Sequence, residues 1–254
     1  MSGRRSYIAA LAREMRDEER IFVGANQNDV ALAAYLARSL WAPRLKLWAG
    51  GMAQLDRAQD LMRVGRSSYD RVLVGSRDAT FWQARAFDDA LRAPVVFAGG
   101  LQVDARGNAN LAGVPAVGGG WRLRGPGSAG LPTLTALAER FFIAVPAHTP
   151  RSLVERCAAL SVLGDPVARE AAGLERNALV AVVTPMARFE PTDEGLVLTE
   201  MADGVTRDEL AERTGFAIRQ VAEVGRRAPV SPEEAAALDR LEAAGAANRA
   251  AVAF

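Results

Sequence analysis

Apolar positions along this chain alternate between two periods, and that alternation predicts an α/β protein. Between Tyr7 and Arg20, residues Ile8, Leu11, Ala12 and Met15 fall at helical spacing while charged residues fill the other positions, which predicts a helix packed on the domain by one face. Ile21-Phe-Val-Gly24 is a short apolar strand. The polar turn Ala25-Asn-Gln-Asn28 follows, with Asn28 or Asp29 placed to cap the next helix. Val30 to Leu40 is apolar nearly all round, the pattern of a buried helix, and Leu45-Lys-Leu-Trp48 is a second strand that ends at Ala49-Gly-Gly51. Strand, helix, strand in this order indicates a βαβ unit and hence an α/β sheet.

The pattern predicts a helix over Ala53 to Met62, a strand over Arg71 to Val74 and a helix from about Ala79 to Leu91, with Phe81, Trp82 and Phe87 as core aromatics. Pro94-Val-Val-Phe-Ala98 is a buried strand. Asn110-Leu-Ala-Gly113 and Trp121-Arg-Leu-Arg124 read as strand pieces separated by the glycine link Gly118-Gly-Gly120. Leu134 to Arg140 is helical, Phe141 to Val145 a buried strand, Ser152 to Cys157 a shorter strand and Asn177 to Val183 another. Ala187-Arg-Phe-Glu190 and Gly195 to Thr199, flanking Pro191-Thr-Asp-Glu194, carry a hairpin signal. Thr206-Arg-Asp-Glu209 matches a capping box, and Ser231-Pro-Glu-Glu234 opens a final helix anchored by Leu238 and Leu241, expected on the surface or against a partner. One large α/β domain over residues 1–220 with a helical extension over 221–254 is the expected organisation.

Composition narrows the function classes. The chain has 254 residues, half of them hydrophobic, enough to bury a substantial core. Its formal charge of +1 gives no whole-molecule field to attract nucleic acid or an anionic membrane, so neither is an expected partner. Cys157 is the single cysteine and cannot form an internal disulfide, and Met1-Ser-Gly-Arg-Arg5 lacks the apolar core of a secretory signal, so a cytoplasmic location is expected. No apolar run approaches the roughly 20 residues of a membrane helix.

Candidate chemistry concentrates in two stretches. After the strand ending at Ala98, Gly99-Gly-Leu-Gln-Val-Asp-Ala-Arg-Gly-Asn-Ala-Asn110 sets two glycines beside Gln102, Asp104, Asn108 and Asn110. The glycines permit positive φ and close approach of a ligand, and the polar side chains offer donors and acceptors. The same residues are also what a tight connection between two strands needs to satisfy its own backbone, and the spacing leaves both readings open. The second stretch, Gly125-Pro-Gly-Ser-Ala-Gly130, precedes a helix and would leave backbone amides for an anion or oxyanion. It matches neither a dinucleotide fingerprint nor a P-loop. A metal site is not expected, since His148 is the only histidine. Ser128 has no histidine near it in sequence, Cys157 is expected to pack as a small hydrophobe, Arg122 and Arg124 could reach a phosphate or lie on a solvated strand face, and Arg226 and Arg227 are expected on the surface.

The run Gly100 to Asn110 resembles the Gly-x-Gln-x-Asp-x-x-Gly-Asn-x-Asn signature of family I coenzyme A transferase β subunits, the glutaconate CoA-transferase type above all. Gly125 to Gly130 is similar to that family's glycine loop, Val145 to Cys157 to the strand and crossover after it, Val183-Thr-Pro-Met186 to its strand exit and Gly204 to Phe216 to its late helical segment, so that the likeness covers roughly residues 5–220. It implies a three-layer open α/β sheet with helices on both faces. It also implies an α subunit of the same family as partner in a heterodimer or heterotetramer, no permanently bound cofactor, and a coenzyme A thioester as substrate. The implied substrate contacts are Asn26, Ala49, Gly50, Gly99, Gly100, Gln102, Asp104, Asn108, Asn110, Gly125, Gly127, Ser128, Ala129 and Gly130.

One departure decides what such a site can do. Transferases of the family use a glutamate in the turn after an early strand as nucleophile, and the matching turn here is Ala49-Gly-Gly51. An alanine methyl cannot attack a thioester, and Asp56 lies seven positions further on, so no catalytic residue is expected in this chain. The similar branch is that of the steroid ring-opening CoA hydrolases, in which an acid of the α subunit is implied to act. The expected function is therefore a β subunit for ring opening or C–C bond hydrolysis of an acyl-CoA. A CoA transferase and a catalytically silent CoA-ester-binding subunit are the alternatives. Substitution of Gly100 or Asn108 is expected to harm ligand binding more than folding.

Overall fold

A computed structural model describes residues 2–24, 27–49, 53–55, 95–128 and 130–251. They fall into two compact units, one of residues 1–97 with 229–254 and the other of residues 98–228. The expected α/β class holds in each, since both carry a mixed sheet together with helices.

In the first unit α1 spans Ser2–Arg13, and Tyr7, Ile8, Leu11, Ala12 and the following Met15 are buried, the face that the spacing predicts. The helix stops at Arg13, earlier than expected, because Arg20 already opens a strand. β1 (Arg20–Val23), α2 (Asn28–Leu40) and β2 (Lys46–Ala49) form the βαβ unit, with β1 and β2 parallel and Val23 beside Ala49. The N-cap of α2 is Gln27, without a side-chain cap bond, in place of Asn28 or Asp29. Asp29 instead sits in the first turn and accepts from Arg4 at 2.6 Å. β3 (Ala53–Leu55) runs antiparallel to β2, which corrects the helix expected from Ala53. Strand pairing overrides local propensity at these three positions. The strand expected at 71–74 and the helix at 79–91, with Phe81, Trp82 and Phe87, lie outside the described residues. β4 (Val95–Ala98) pairs parallel with β1, giving the order β4-β1-β2-β3.

The C-terminal helix Pro232–Ala251 belongs to this unit and packs on α2 and α1. Its start is a full capping box, with Ser231 Oγ accepting from the Glu234 amide at 3.1 Å and Glu234 Oε2 from the Ser231 amide at 2.8 Å. Glu234 also takes a bidentate pair from Arg13, at 2.9 and 2.6 Å. Ala237, Leu238 and Leu241 are buried against the chain's own helices. The extension expected to be helical from 221 begins instead as strand and becomes helical at Pro232.

The second unit opens with three short strands, β5 (Gln102–Asp104), β6 (Ala109–Asn110) and β7 (Gly113–Pro115), then β8 (Trp121–Arg124) and α3 (Leu131–Leu137). β9 (Arg140–Ala144) and β10 (Leu153–Val154) lead to α4 (Pro166–Ala171), β11 (Leu179–Val183), β12 (Ala187–Thr192), β13 (Gly195–Met201), α5 (Arg207–Arg213) and β14 (Arg219–Arg226). The main sheet of this unit runs β14-β13-β12-β11-β9, with β9 parallel to β11 and the expected hairpin at β12 and β13. β10, β5 and β6 form a smaller sheet, and β7 and β8 a two-stranded ribbon. Thr206 caps α5 as its sequence indicates, accepting from the Glu209 amide at 3.2 Å. No helix among the described residues is long and apolar enough to cross a membrane.

Candidate functional site

The stretch 99–110 folds as a hairpin, and its polar side chains face the chain itself. Gln102 and Asp104 lie on β5, Asn110 on β6, and all three are buried. Asp104 Oδ1 accepts from the amides of Arg106 and Asn108 at 3.0 and 2.9 Å, which closes the turn, while Oδ2 takes Asn108 Nδ2 and the Cys157 amide, each at 3.3 Å. Asn108 Oδ1 accepts from the amides of Gly164 and Asp165 at 3.0 and 3.2 Å. Asn110 Oδ1 accepts from Ala112 and Gly113 amides, and its Nδ2 donates to Gln102 Oε1 and to Gly113 O, both at 2.8 Å. Gln102 Oε1 also accepts from the Ala158 amide at 3.1 Å. The four side chains are thus brought together as a girder that ties the hairpin to residues 157–165. That is the backbone-satisfying use that the spacing leaves open beside ligand binding.

The glycines tell the same story. Gly100 has no positive φ. What it needs is space, because a Cβ there would lie 2.9 Å from Gln102 O and 3.3 Å from Ala109 Cβ. Gly100 and Asn108 thus have a structural role in addition to the ligand-binding role that the sequence suggests. In the second loop a Cβ at Gly125 would lie 2.0 Å from Leu111 O. The amides of Gly125 and Gly127 donate to Ala112 O at 3.0 Å and to Leu111 O at 3.2 Å, so they are not left over for an anion. Gly127, at φ +90°, has open space where a side chain would be, and Gly130 caps the seven-residue α3. Ser128 Oγ donates to Ser161 Oγ at 2.8 Å, and Ser161 in turn accepts from the Leu111 amide. Ser161 has no local signal in the sequence, since its role depends on a loop fifty residues earlier.

In the first unit, Ala49 ends β2 level with Val23, at the carboxyl end of parallel strands where α/β sheets place their sites. It pairs across with Ala53, and the sequence that joins them, Gly50-Gly51-Met52, contains no ionisable side chain. β3 then runs back from that tip, with Leu55 beside Leu47. Asn26, Gly50, Asp56 and Ala129 lie outside the described residues.

The remaining conspicuous side chains are structural. His148 is buried between two hydroxyls, Nδ1 2.8 Å from Thr184 Oγ1 and Nε2 2.9 Å from Thr214 Oγ1. Thr214 spends its proton on Leu210 O at 2.7 Å and so accepts from Nε2–H. Thr184 Oγ1 accepts from the amides of Met186 and Ala187 and has two acceptors for its own proton, Ala187 O at 3.1 Å and His148 Nδ1 at 2.8 Å. Burial, with Arg213 nearby adding repulsion, lowers the imidazole to about 4. Burial and the charge of Asp104 push the Cys157 thiol up to about 12, making it a poor nucleophile. Arg122 and Arg124 are exposed, within the range the sequence allows. Arg227 corrects an expectation, being buried and paired through Nε with Glu200 at 2.8 Å while Nη1 donates to Pro185 O. Among the described residues no group of three or more His, Cys, Asp or Glu is placed to hold a metal ion.

No family model matches the chain. Its sequence is 31% identical over 164 residues to the β subunit of the 3-oxoadipate CoA-transferase of Pseudomonas knackmussii, and the match spans 61% of this chain and 61% of that relative. Its structure superposes on glutaconate coenzyme A-transferase from Acidaminococcus fermentans with a TM-score of 0.77 at 18% identity, over 93% of this chain and 92% of that one. The chain has the CoA-transferase fold. The decarboxylase AibA/AibB shares that fold at a TM-score of 0.78 and 23% identity (93% and 92% covered), as does IpdAB of Rhodococcus jostii at 0.72 and 20% (92% of each). Within the CoA-transferase fold, the signature at 100–110 is legible as a folding motif: each of its polar positions fixes the hairpin or anchors the loop beneath it.

Proposed function

We propose that this chain is the β subunit of a two-subunit enzyme that acts on an acyl-CoA, opening a ring or hydrolysing a C–C bond, with the catalytic carboxylate supplied by an α subunit of the same family. The observation that carries the reading is the β2–β3 turn, where Ala49 stands at the position at which the family resemblance expects a nucleophilic glutamate. Without a carboxylate there is no acyl anhydride and no enzyme-bound CoA thioester, so chemistry at the substrate must come from a general base acting on water. That the same fold serves a protein described as a decarboxylase is consistent with a reaction other than transfer. In this reading Gln102, Asp104, Asn108 and Asn110 hold the shape of the hairpin that begins at Gly99 and Gly100. The proposed acyl-CoA contacts of the first unit are Asn26, Ala49 and Gly50, and those of the second unit, taken by itself, are Gly99, Gly100 and the loop 125–130. In the same reading the enzyme is soluble and cytoplasmic and carries no resident cofactor.

The test is co-expression with the α subunit, an acyl-CoA consumption assay, and borohydride reduction to trap an enzyme thioester. Consumption without trapping is the expected result. Trapping in the native enzyme overturns the proposal in favour of a transferase, the activity named for the sequence relative, and no consumption across a broad acyl-CoA panel leaves a silent subunit. Ala49→Glu should convert a non-trapping enzyme into one that accumulates a reducible thioester.

A further inference from the structure

The ribbon β7–β8 carries an irregularity that the function proposed above does not use. Val114 pairs with Leu123 and Gly113 with Arg124, but Pro115 pairs with Trp121, so Arg122 is an extra residue and the ribbon has a bulge. Without the bulge, Trp121 and Leu123 would share one face and Arg122 and Arg124 the other. Cross-strand partners lie on the same face, so the bulge puts Trp121 with Pro115 and Arg124 with Gly113 on one face, and moves Leu123 with Val114 to the opposite one.

The indole agrees with that placement. A Cβ on Gly113, at φ +140°, would lie 2.8 Å from Trp121 Cε3 and 2.9 Å from Cζ3, so the six-membered ring of Trp121 rests directly over the glycine, opposite which Arg124 is paired. One side of the ring is packed on backbone, yet Trp121 remains 51% exposed. Arg122 and Arg124 are exposed as well, and among the described residues neither guanidinium has a hydrogen-bond or ion-pair partner. Most arginines of this unit, by contrast, are held by a carboxylate or a carbonyl, as Arg106 is by Asp165 and Arg227 by Glu200. An indole backed on one side by a glycine and bare on the other, with two uncommitted guanidiniums beside it, has the chemistry of a purine platform with phosphate donors.

We infer that the β7–β8 ribbon binds the adenosine 3′-phosphate 5′-diphosphate end of the CoA thioester. Trp121 stacks on the adenine, and Arg124 and the bulge residue Arg122 take the phosphates. This deepens the reading above, on which it rests, by naming residues for the nucleotide end of the substrate. The position along the chain agrees: Arg124 leads directly into Gly125, whose amide closes on Ala112 at the base of the ribbon, so the nucleotide platform adjoins the loop 125–130.

The experiment uses the co-expressed two-subunit enzyme and adenosine 3′,5′-bisphosphate as probe, with pantetheine as the control that lacks the nucleotide. Indole fluorescence follows binding, and acyl-CoA kinetics follow catalysis. The bisphosphate should quench fluorescence in the native protein and in Trp121→Tyr far less, while pantetheine has no effect. Trp121→Leu and Arg124→Gln should each raise KM for the acyl-CoA about tenfold with kcat within about twofold, and Trp121→Tyr, which keeps a stacking ring, should recover most of the loss. A native thermal transition in Arg124→Gln keeps the test valid should Trp121→Leu loosen the ribbon. Unchanged KM in both variants overturns the inference while leaving the acyl-CoA reading intact. Unchanged bisphosphate affinity combined with loss of the co-purifying subunit also overturns it, by making the ribbon a subunit contact. Bisphosphate binding at Trp121 in an enzyme that consumes no acyl-CoA upholds the platform and rejects the proposed reaction.

Discussion

Acidification should destabilise this fold through one residue. His148 is held neutral between Thr184 and Thr214, at about 4 against an ordinary 6.5, by burial first and by Arg213 second. The ring nitrogens face the neutral hydroxyls of Thr184 and Thr214 and no carboxylate, so the charge of the imidazolium gains no counter-ion to offset its desolvation. A lowered pKa in the folded state means the unfolded chain binds the proton first. Stability is therefore complete above about pH 6.5 and falls as the pH drops toward 4. At about 1.4 kcal/mol per pH unit the loss is about 3 kcal/mol. Urea unfolding of the native chain and of His148→Gln, at intervals from pH 7.5 to pH 4, measures it, since glutamine can bond both hydroxyls and does not titrate. The stability gap between the two proteins should shift by about 3 kcal/mol in favour of the variant across that range. Asp165 is partly buried, which raises its carboxyl, yet pairing with Arg106 holds it below the ordinary 3.8, so its own loss falls at more acid pH. A gap that stays constant from pH 7.5 to pH 4 would refute the buried-neutral reading of His148.

Two further outcomes follow from the hairpin. Gly100→Val forces a branched side chain against Gln102 O, and Asn108→Leu strands the amides of Gly164 and Asp165, so each should lower stability by about 1–3 kcal/mol or more, seen as an earlier thermal transition. Either variant melting like the native chain while losing acyl-CoA affinity would return those side chains to direct substrate contact. Cys157, raised to about 12, should resist iodoacetamide at pH 8 in the folded protein and react promptly once unfolded; rapid native labelling would contradict its environment.

How far the sequence reached can be judged residue by residue. The βαβ unit, the hairpin at 187–201 and the caps at Thr206 and Ser231 depend on residues within a few positions of one another, and periodicity or capping patterns carry such information directly. Ala49 was legible for the same reason, since the absence of a carboxylate from a turn is a property of composition. What only the tertiary structure decided are the roles of buried polar groups. Asp104 meets Cys157, Asn108 meets Gly164, His148 meets Thr214, and Arg227 leaves the surface to pair with Glu200, each across 27 to 66 positions. A polar side chain in a sequence looks equally ready to bind a ligand or a distant amide. Desolvation makes the difference, because a buried donor or acceptor must find its partner wherever folding brings one within about 3 Å.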